Sequence, residues 1–180
     1  MTKLRCFIAL DISDEMKNDL ANAQEELKKK NLFEGKFTDK QHIHLTLKFL
    51  GGVDEKEIPK IKQQLRKVKF NSFEAKLGEC GVFSEEFVRI IWSKLEGNEV
   101  TELQKKVDEA LIDLFSKEDV FMSHITIARV KTTKFKEDLK KASKELKTIA
   151  SGKIKSFSLM KSTLKPEGPV YEVIEKYNLD

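Results

Sequence analysis

Apolar and polar positions follow two different periods along the chain, and the period changes from one segment to the next. A continuous apolar run from Leu4 to Leu10 is interrupted by a single arginine and is typical of a central strand. Apolar side chains then recur every three or four residues at Met16, Leu20, Ala23 and Leu27. This spacing predicts an amphipathic helix with one buried face.

The same patterns predict the remaining elements. Pro59 stands near the start of a second helix, where its fixed φ suits the first turn. The pair Gly51 and Gly52 is predicted to end the preceding strand with a turn. Further helices are predicted around 58–68, 98–115 and 135–149. Further strands are predicted at 73–77, 80–83, 87–95, 122–130, 154–164 and 170–177, with turns at 84–86 and 166–169, and Trp92 is expected in the core.

This order of elements predicts an α+β fold of two lobes. Two strands that carry histidines lie 80 residues apart, and each is followed by an amphipathic helix, as an internal duplication would give. We therefore expect two pseudo-symmetric, mainly antiparallel sheets, flanked by helices and separated by a central groove. The chain shows no linker or low-complexity segment, so residues 1–180 are expected to form a single bilobal domain.

Two short stretches carry a histidine and a threonine at the same spacing. His44 and Thr46 form the first pair, and His124 and Thr126 form the second, each inside an apolar run. Residues i and i+2 of a strand point to the same face. Each stretch therefore predicts an imidazole beside a hydroxyl. The chain has three histidines and nine threonines in all, so chance explains two such pairs poorly.

Composition and charge add a weak preference for an anionic partner. Charged residues make up 36% of the chain and hydrophobic residues 39%, which is typical of a folded protein with a strongly ionised surface. The net charge is +4, although 30 acidic residues dilute its effect. Four of the 34 basic residues are arginines. Each is a candidate contact, because the planar guanidinium fits phosphate well.

The two cysteines and the first apolar run bear on location. Cys6 and Cys80 are far apart in apolar surroundings, which favours buried reduced thiols over a disulfide or a metal cluster. The run from Leu4 to Leu10 is too short for a membrane span, and acidic residues follow it. No signal peptide is expected. We expect a cytoplasmic monomer that does not associate with membranes.

The histidines allow three interpretations. Each could be an ordinary residue that bonds its neighbouring threonine. His42, His44 and His124 could together bind a metal, although no acidic residue or cysteine stands at ligand spacing beside them. The third interpretation is acid–base catalysis, because two imidazoles that titrate near about 6.5 can hold opposite protonation states. Two copies of the pattern favour the third interpretation. In it the two imidazoles act on a phosphodiester, without a metal or any other cofactor.

The two motifs resemble those of the 2H phosphoesterase superfamily. The first motif continues as Lys48-Phe49-Leu50-Gly51 and the second as Ala128-Arg129. With the opening strand Leu4 to Leu10, these extensions are most similar to the bacterial and archaeal RNA 2′,3′-cyclic phosphodiesterases, also called 2′-5′ RNA ligases. The resemblance covers nearly the whole chain. It implies a bilobal fold that hydrolyses terminal 2′,3′-cyclic phosphates of RNA, tRNA fragments among them, to 2′-phosphates.

The resemblance also implies roles for particular residues. His44 would be the proton donor that protonates the departing 3′ oxygen, and His124 would be the proton acceptor that activates water. Thr46 and Thr126 would hold the phosphate. Arg129 has the position of a substrate-contacting arginine, with a salt bridge on the lobe surface as the alternative.

Three further residues are considered with these. Arg5 is a candidate for attracting phosphate, and Phe49 is a candidate for stacking on a base. Phe49 is also expected in the core, because position i+3 from Thr46 faces away from it on a regular strand. His42 departs from the pattern of the family. It would either tune the pKa of His44 or lie at the mouth of the groove, and we favour the second interpretation.

Two other functions compete with hydrolysis. The reverse reaction would join cyclic phosphate and 5′-hydroxyl ends of tRNA halves through a 2′-5′ bond, with the acid and base roles exchanged. A non-catalytic RNA-binding module would instead show salt-dependent binding that survives loss of both histidines.

Overall fold

The computed structural model describes residues 3–84 and 86–180, and the predicted turn at 84–86 includes Glu85, which lies outside the described residues. Within these ranges the chain forms four helices, nine strands and two single 3₁₀ turns. The helices are α1 (Asp14–Lys30), α2 (Ile58–Leu65), α3 (Asn98–Ala110) and α4 (Lys136–Glu145). The strands are β1 (Lys3–Leu10), β2 (Glu34–Phe37), β3 (Leu45–Asp54), β4 (Phe73–Phe83), β5 (Ile90–Glu96), β6 (His124–Thr132), β7 (Ser151–Ile154), β8 (Ser156–Lys165) and β9 (Gly168–Asn178).

The strands form one antiparallel sheet with the order β7-β4-β5-β6-β3-β1-β8-β9, and β2 pairs with β6 beside this path. The α+β class is confirmed. The two predicted sheets are the halves of this sheet, and β3 meets β6 at the pair Leu45 and Ile125. The two histidine motifs therefore lie on the two central strands or immediately beside them. None of the described helices is both long and apolar enough to cross a membrane.

The core lies under the meeting point of the two halves. One buried cluster contains Leu45 and Ile125 together with Met16, Ile61 and Leu103 from the first three helices. On β6 the buried side chains alternate with those of the second motif, since strand neighbours point to opposite faces. One face of the sheet is thus packed against helices, and the motif side chains lie on the other.

β3 is longer and less regular than predicted. It stays paired with β1 through Gly51 and Gly52 as far as Asp54. Gly51 has a φ of +70° at a β-bulge, a conformation that favours glycine. The predicted turn at the glycine pair is therefore wrong, because the bulge accommodates Gly51 within the strand.

A second bulge in β3 reverses the alternation of its side chains. Thr46 and Lys48 pair with consecutive residues of β1, so Leu47 has no partner between them. Because one extra residue shifts every later side chain to the other face, Leu47 and Lys48 are both buried and Phe49 is exposed. Phe49 thereby returns to the face that carries Thr46.

β2 was not predicted, and it depends on a glycine. Asn31 caps the C-terminus of α1 in a left-handed conformation, and β2 then pairs with the outer part of β6. A Cβ at Gly35 would lie 2.1 Å from the carbonyl oxygen of Arg129. The close approach of these two backbones therefore requires glycine at position 35.

β4 is one strand and not two. Separate strands were expected at 73–77 and 80–83, but β4 runs from Phe73 to Phe83. A Cβ at Gly81 would come within 2.7 Å of the Trp92 ring, so the missing side chain makes room for the indole. Trp92 is buried with 9% exposure, as predicted.

Candidate active site

A groove of about 860 Å³ contains both histidine–threonine pairs. The pairs come from opposite halves of the sheet, and their side chains line the same cavity. The other candidates from the sequence line it as well. The full set of predicted residues in the groove wall is Arg5, His42, His44, Thr46, Phe49, His124, Thr126 and Arg129.

His44 lies one residue before β3, and Ile43 separates it from a 3₁₀ turn formed by Lys40–His42. Its Nδ1–H donates to the carbonyl oxygen of His42 at 2.6 Å, and its Nε2 lies 3.1 Å from Thr46 Oγ1. A carbonyl oxygen accepts but does not donate, so the bond assigns a hydrogen to Nδ1. Nε2 is therefore the atom that gains or loses a proton toward the groove.

Aromatic rings enclose the His44 imidazole. Phe7 stacks on it with ring centroids 5.1 Å apart, and the ring of Tyr171 meets it edge-on at 5.4 Å. Burial lowers the pKa of His44 below its ordinary value of about 6.5, while the bond to the His42 carbonyl and the charge of Asp11 act in the opposite direction. This imidazole therefore favours its neutral form near pH 7.

His124 repeats the local geometry of His44 on β6. Its Nδ1–H donates to the carbonyl oxygen of Met122 at 2.9 Å, again two residues earlier in the chain. Phe83 meets the ring edge-on, with centroids 4.7 Å apart. Both imidazoles thus carry a hydrogen on Nδ1 and leave Nε2 for chemistry in the groove. The two imidazoles therefore match in the nitrogen that a backbone carbonyl holds.

Thr38 and Gln24, which no pattern in the sequence places near the site, hold the second motif in place. Thr38 Oγ1 donates to the carbonyl oxygen of Thr126 at 2.9 Å. The Gln24 amide Nε2 donates to the carbonyl oxygens of Thr38 at 2.7 Å and Ile127 at 2.9 Å. Gln24 is buried on the inner face of α1, where the apolar periodicity gives no sign of a polar contact. These bonds tie β6 to α1 behind the groove.

The arginine and phenylalanine candidates line the groove on two sides. Arg129 pairs across the sheet with Lys36 on β2 and is exposed, and among the described residues it forms no ion pair with an acidic side chain. Arg5 is exposed on β1, opposite Ser162. Phe49 is 68% exposed, so the expectation of a core position is wrong. The bulge at Leu47 turns it into the groove.

His42 lies in the turn that precedes the first motif. It belongs to the 3₁₀ turn and not to a strand, so it does not share a strand face with His44. Its ring meets the Tyr171 ring at 5.1 Å, and its Nδ1 lies 3.9 Å from a carboxylate oxygen of Asp39. The groove wall contains it, and its charge when protonated would lower the pKa of His44. Both earlier interpretations therefore have a geometric basis.

The groove can surround an anion with donors. Two imidazoles, two threonine hydroxyls and the basic side chains of Arg5, Lys36 and Arg129 all line it. Within residues 3–84 and 86–180, no three side chains of His, Cys, Asp or Glu are grouped in a way that could hold a metal ion. An arrangement of preorganised donors around one anionic centre suits phosphoryl chemistry.

The fold and the groove define a phosphoesterase. The chain belongs to the LigT-like phosphoesterase family, whose model matches residues 10–92 and 94–171. Each matched segment contains one of the two histidine–threonine pairs. This division agrees with the internal duplication that the sequence suggested.

Relatives and solved structures agree with this family. The chain is 37% identical to an RNA 2′,3′-cyclic phosphodiesterase of Methanocaldococcus jannaschii, over 97% of this chain and 100% of the relative. It is 34% identical to an RNA 2′,3′-cyclic phosphodiesterase of Thermotoga maritima, over 95% of this chain and 93% of the relative. The crystal structure of TT0787 of Thermus thermophilus has a TM-score of 0.83 at 27% identity, and 98% of each chain is covered. That of E. coli LigT complexed with 3′-AMP shares the fold, with a TM-score of 0.72 at 19% identity and 98% of each chain covered.

Proposed function

We propose that this protein hydrolyses the 2′,3′-cyclic phosphate at RNA ends, including those of tRNA fragments, to a 2′-phosphomonoester. One observation carries the proposal: two imidazoles from distant parts of the chain line one groove, each with Nδ1 held by a carbonyl and Nε2 left for proton transfer. The relatives named as RNA 2′,3′-cyclic phosphodiesterases support the choice of substrate.

In the proposed mechanism the two imidazoles act on opposite sides of phosphorus. Nε2 of neutral His124 accepts a proton from water as the water oxygen bonds to phosphorus. Nε2–H of protonated His44 gives its proton to the 3′ oxygen as the bond from that oxygen to phosphorus breaks. Each transfer is typically worth about 10² to 10⁴ in rate. The hydroxyls of Thr46 and Thr126 donate to the non-bridging oxygens, where negative charge is held in the transition state.

The cationic and aromatic side chains of the groove have supporting roles in this proposal. Arg129 and Arg5 attract the phosphate and the RNA backbone, and Phe49 offers a face on which a base can stack. The residues of one chain complete the groove, so we take a monomer to be the active form. The buried, unpaired thiols of Cys6 and Cys80 suit a cytoplasmic location, where thiols stay reduced.

The lowered pKa of His44 gives a test of its role as proton donor. A donor must be protonated in the complex, and a phosphate anion held beside Thr46 favours the charged imidazolium. We therefore expect the pKa of His44 to lie below about 6.5 in the free protein and to rise by about one unit or more with saturating inorganic phosphate. Titration of the His44 Cε1 proton by NMR measures both values. An unchanged pKa with phosphate bound would contradict the assignment.

The proposed reaction is tested directly with an oligonucleotide that ends in a 2′,3′-cyclic phosphate. Incubated with the protein in the presence of a chelator, it should be converted to the 2′-phosphate and not to the 3′-phosphate, with undiminished rate. Mass spectrometry and digestion with a 3′-phosphate-specific phosphatase identify the product. Formation of a 2′-5′ linkage when a 5′-hydroxyl RNA is added would favour ligation. Salt-dependent binding without turnover would favour a binding module.

A further inference from the structure

The hairpin formed by β8 and β9 contacts both halves of the sheet across the groove. β8 pairs with β1, in the half that carries His44. At the tip of the hairpin, the backbone carbonyl of Glu167 accepts a hydrogen bond of 2.8 Å from Lys36 Nζ. Lys36 lies on β2, which pairs with β6 in the half that carries His124. The strands of the hairpin therefore extend the half that carries His44, while the hairpin tip is bound to Lys36 in the half that carries His124.

The same hairpin places Tyr171 against the first histidine motif. The Tyr171 ring meets three rings edge-on: Phe7 at 5.2 Å, His42 at 5.1 Å and His44 at 5.4 Å. Phe7 in turn stacks on His44. Edge-on and stacked contacts hold aromatic rings in defined orientations. The hydrogen bond to the His42 carbonyl fixes one edge of the His44 imidazole, and these rings fix its plane.

We propose that Tyr171 is a positioning residue for His44, and that the β8–β9 hairpin is a strap which holds Tyr171 in place through its anchor at Lys36. This proposal rests on the function proposed above and deepens it. Tyr171 keeps Nε2 of His44 directed at the phosphate and keeps water away from the ring. A misplacement of about 1 Å in a proton donor can cost about 100-fold in rate.

The charged groups around His44 come from several elements, and a substitution of Tyr171 removes none of them. His42 is the last residue of the 3₁₀ turn before His44, Asp11 follows β1, and Lys17 lies on α1. The largest influence on the pKa of His44 is burial. A change in that pKa on removal of the Tyr171 ring therefore reports the packing of the imidazole.

The first experiment compares Tyr171→Ala with Tyr171→Phe. We expect Tyr171→Ala to lower kcat by about 10- to 100-fold with KM changed less than about twofold, and the pKa of His44 to rise toward about 6.5. Tyr171→Phe keeps the ring, so kcat and the pKa of His44 should both stay close to those of the unchanged protein. Val173→Ala, an exposed position on the same strand, serves as the control. The proposal is wrong if Tyr171→Ala leaves the His44 titration unchanged, or if it raises KM alone.

The second experiment tests the anchor. The acceptor at the strap's tip is a backbone carbonyl, so Glu167→Ala keeps the bond whereas Lys36→Ala removes it. Lys36→Ala should shift the pKa of His44 in the same direction as Tyr171→Ala, and the two changes combined should be less than additive. Glu167→Ala should leave the pKa of His44 unchanged. Additive effects, or a Lys36→Ala effect confined to KM, would show that Lys36 contacts RNA instead.

The NMR readout separates this proposal from the proposed function. Titration of His44 needs no turnover, so a protein inactive on cyclic phosphates would refute the function while the Tyr171 variants still tested the positioning. Conversely, if the enzyme is active but the pKa of His44 is the same in the Tyr171 variants, only the positioning role of Tyr171 is refuted.

Discussion

Replacing either His44 or His124 with alanine is expected to lower kcat for hydrolysis of a 2′,3′-cyclic phosphate by at least about 100-fold. Each substitution removes one of the two Nε2 atoms proposed to transfer protons, and leaves the threonines and arginines that are proposed to bind the anion. KM should therefore change much less than kcat. Steady-state kinetics on a short oligonucleotide measure both constants for each variant.

His42→Gln provides the matched control for these two variants. It also removes an imidazole from the groove wall, but it keeps the backbone carbonyl that holds His44 Nδ1. We expect its kcat to stay within about tenfold of the unchanged protein, because no proton transfer is assigned to His42. Full turnover in either His44→Ala or His124→Ala would eliminate the two-histidine mechanism. RNA binding retained in both, with activity lost, would separate catalysis from binding.

Periodicity in the sequence predicted the elements that depend on local pattern. Residues two apart on a regular strand share a face, and on β6 both His124 and Thr126 line the groove. The apolar positions of α1 at Met16, Leu20 and Leu27 are buried as the helical spacing predicted. The motifs were therefore recognisable from residue types and spacing alone.

The errors arose where a single backbone irregularity changes the pattern. A bulge at Leu47 shifts the next side chains of β3 by one position, and Phe49 moves from the predicted core to the groove. No residue type near Leu47 predicts that bulge. Gly35 could have marked a close backbone approach, but its neighbour Arg129 is far away in sequence. Contacts of this kind are set by tertiary packing and not by local propensity.

Long-range contacts also conceal the positions that support the site. Tyr171 occupies an ordinary place in a strand, and its contacts with His42 and His44 bridge more than a hundred residues. Gln24 looks like a solvated residue on a helix until the structure shows it bonded to backbone near the second motif. The sequence thus identifies the groups proposed to transfer protons more readily than the groups that position them.

Lys48, within the extended first motif, has a buried ionic contact on the core side of β3. Its Nζ forms an ion pair with Asp108 on α3, and both side chains are 2% exposed. Nζ also donates to the Ser116 carbonyl at 2.7 Å, and the second oxygen of Asp108 accepts the Glu118 N–H at 2.8 Å. Lys48 therefore fastens α3 and the segment after it to the strand that follows His44.

Asp108→Asn is expected to destabilise the protein by about 3 kcal/mol, because it removes the nearer and fully buried counter-charge of Lys48 and leaves only the more exposed carboxylate of Glu118, 3.7 Å from Nζ. Total stabilities of domains are about 5 to 15 kcal/mol, so the loss is a large fraction of the whole. Urea unfolding measures it as a lower midpoint with an unchanged m-value. The double variant Lys48→Met with Asp108→Leu should recover most of the loss, since apolar residues of similar size often replace a buried pair without cost.

Glu25→Gln makes the same carboxylate-to-amide change in an exposed pair with Lys28 on α1, where the two side chains are 60% and 45% exposed. A solvent-exposed pair contributes about 0 to 1 kcal/mol, so this variant should unfold close to the midpoint of the unchanged protein. Equal effects of Asp108→Asn and Glu25→Gln would mean that Glu118 and the Ser116 carbonyl satisfy the charge of Lys48 without Asp108. A large loss confined to Asp108→Asn, and relieved in the apolar double variant, would identify the cost as that of burying the charge of Lys48 beneath β3 without Asp108.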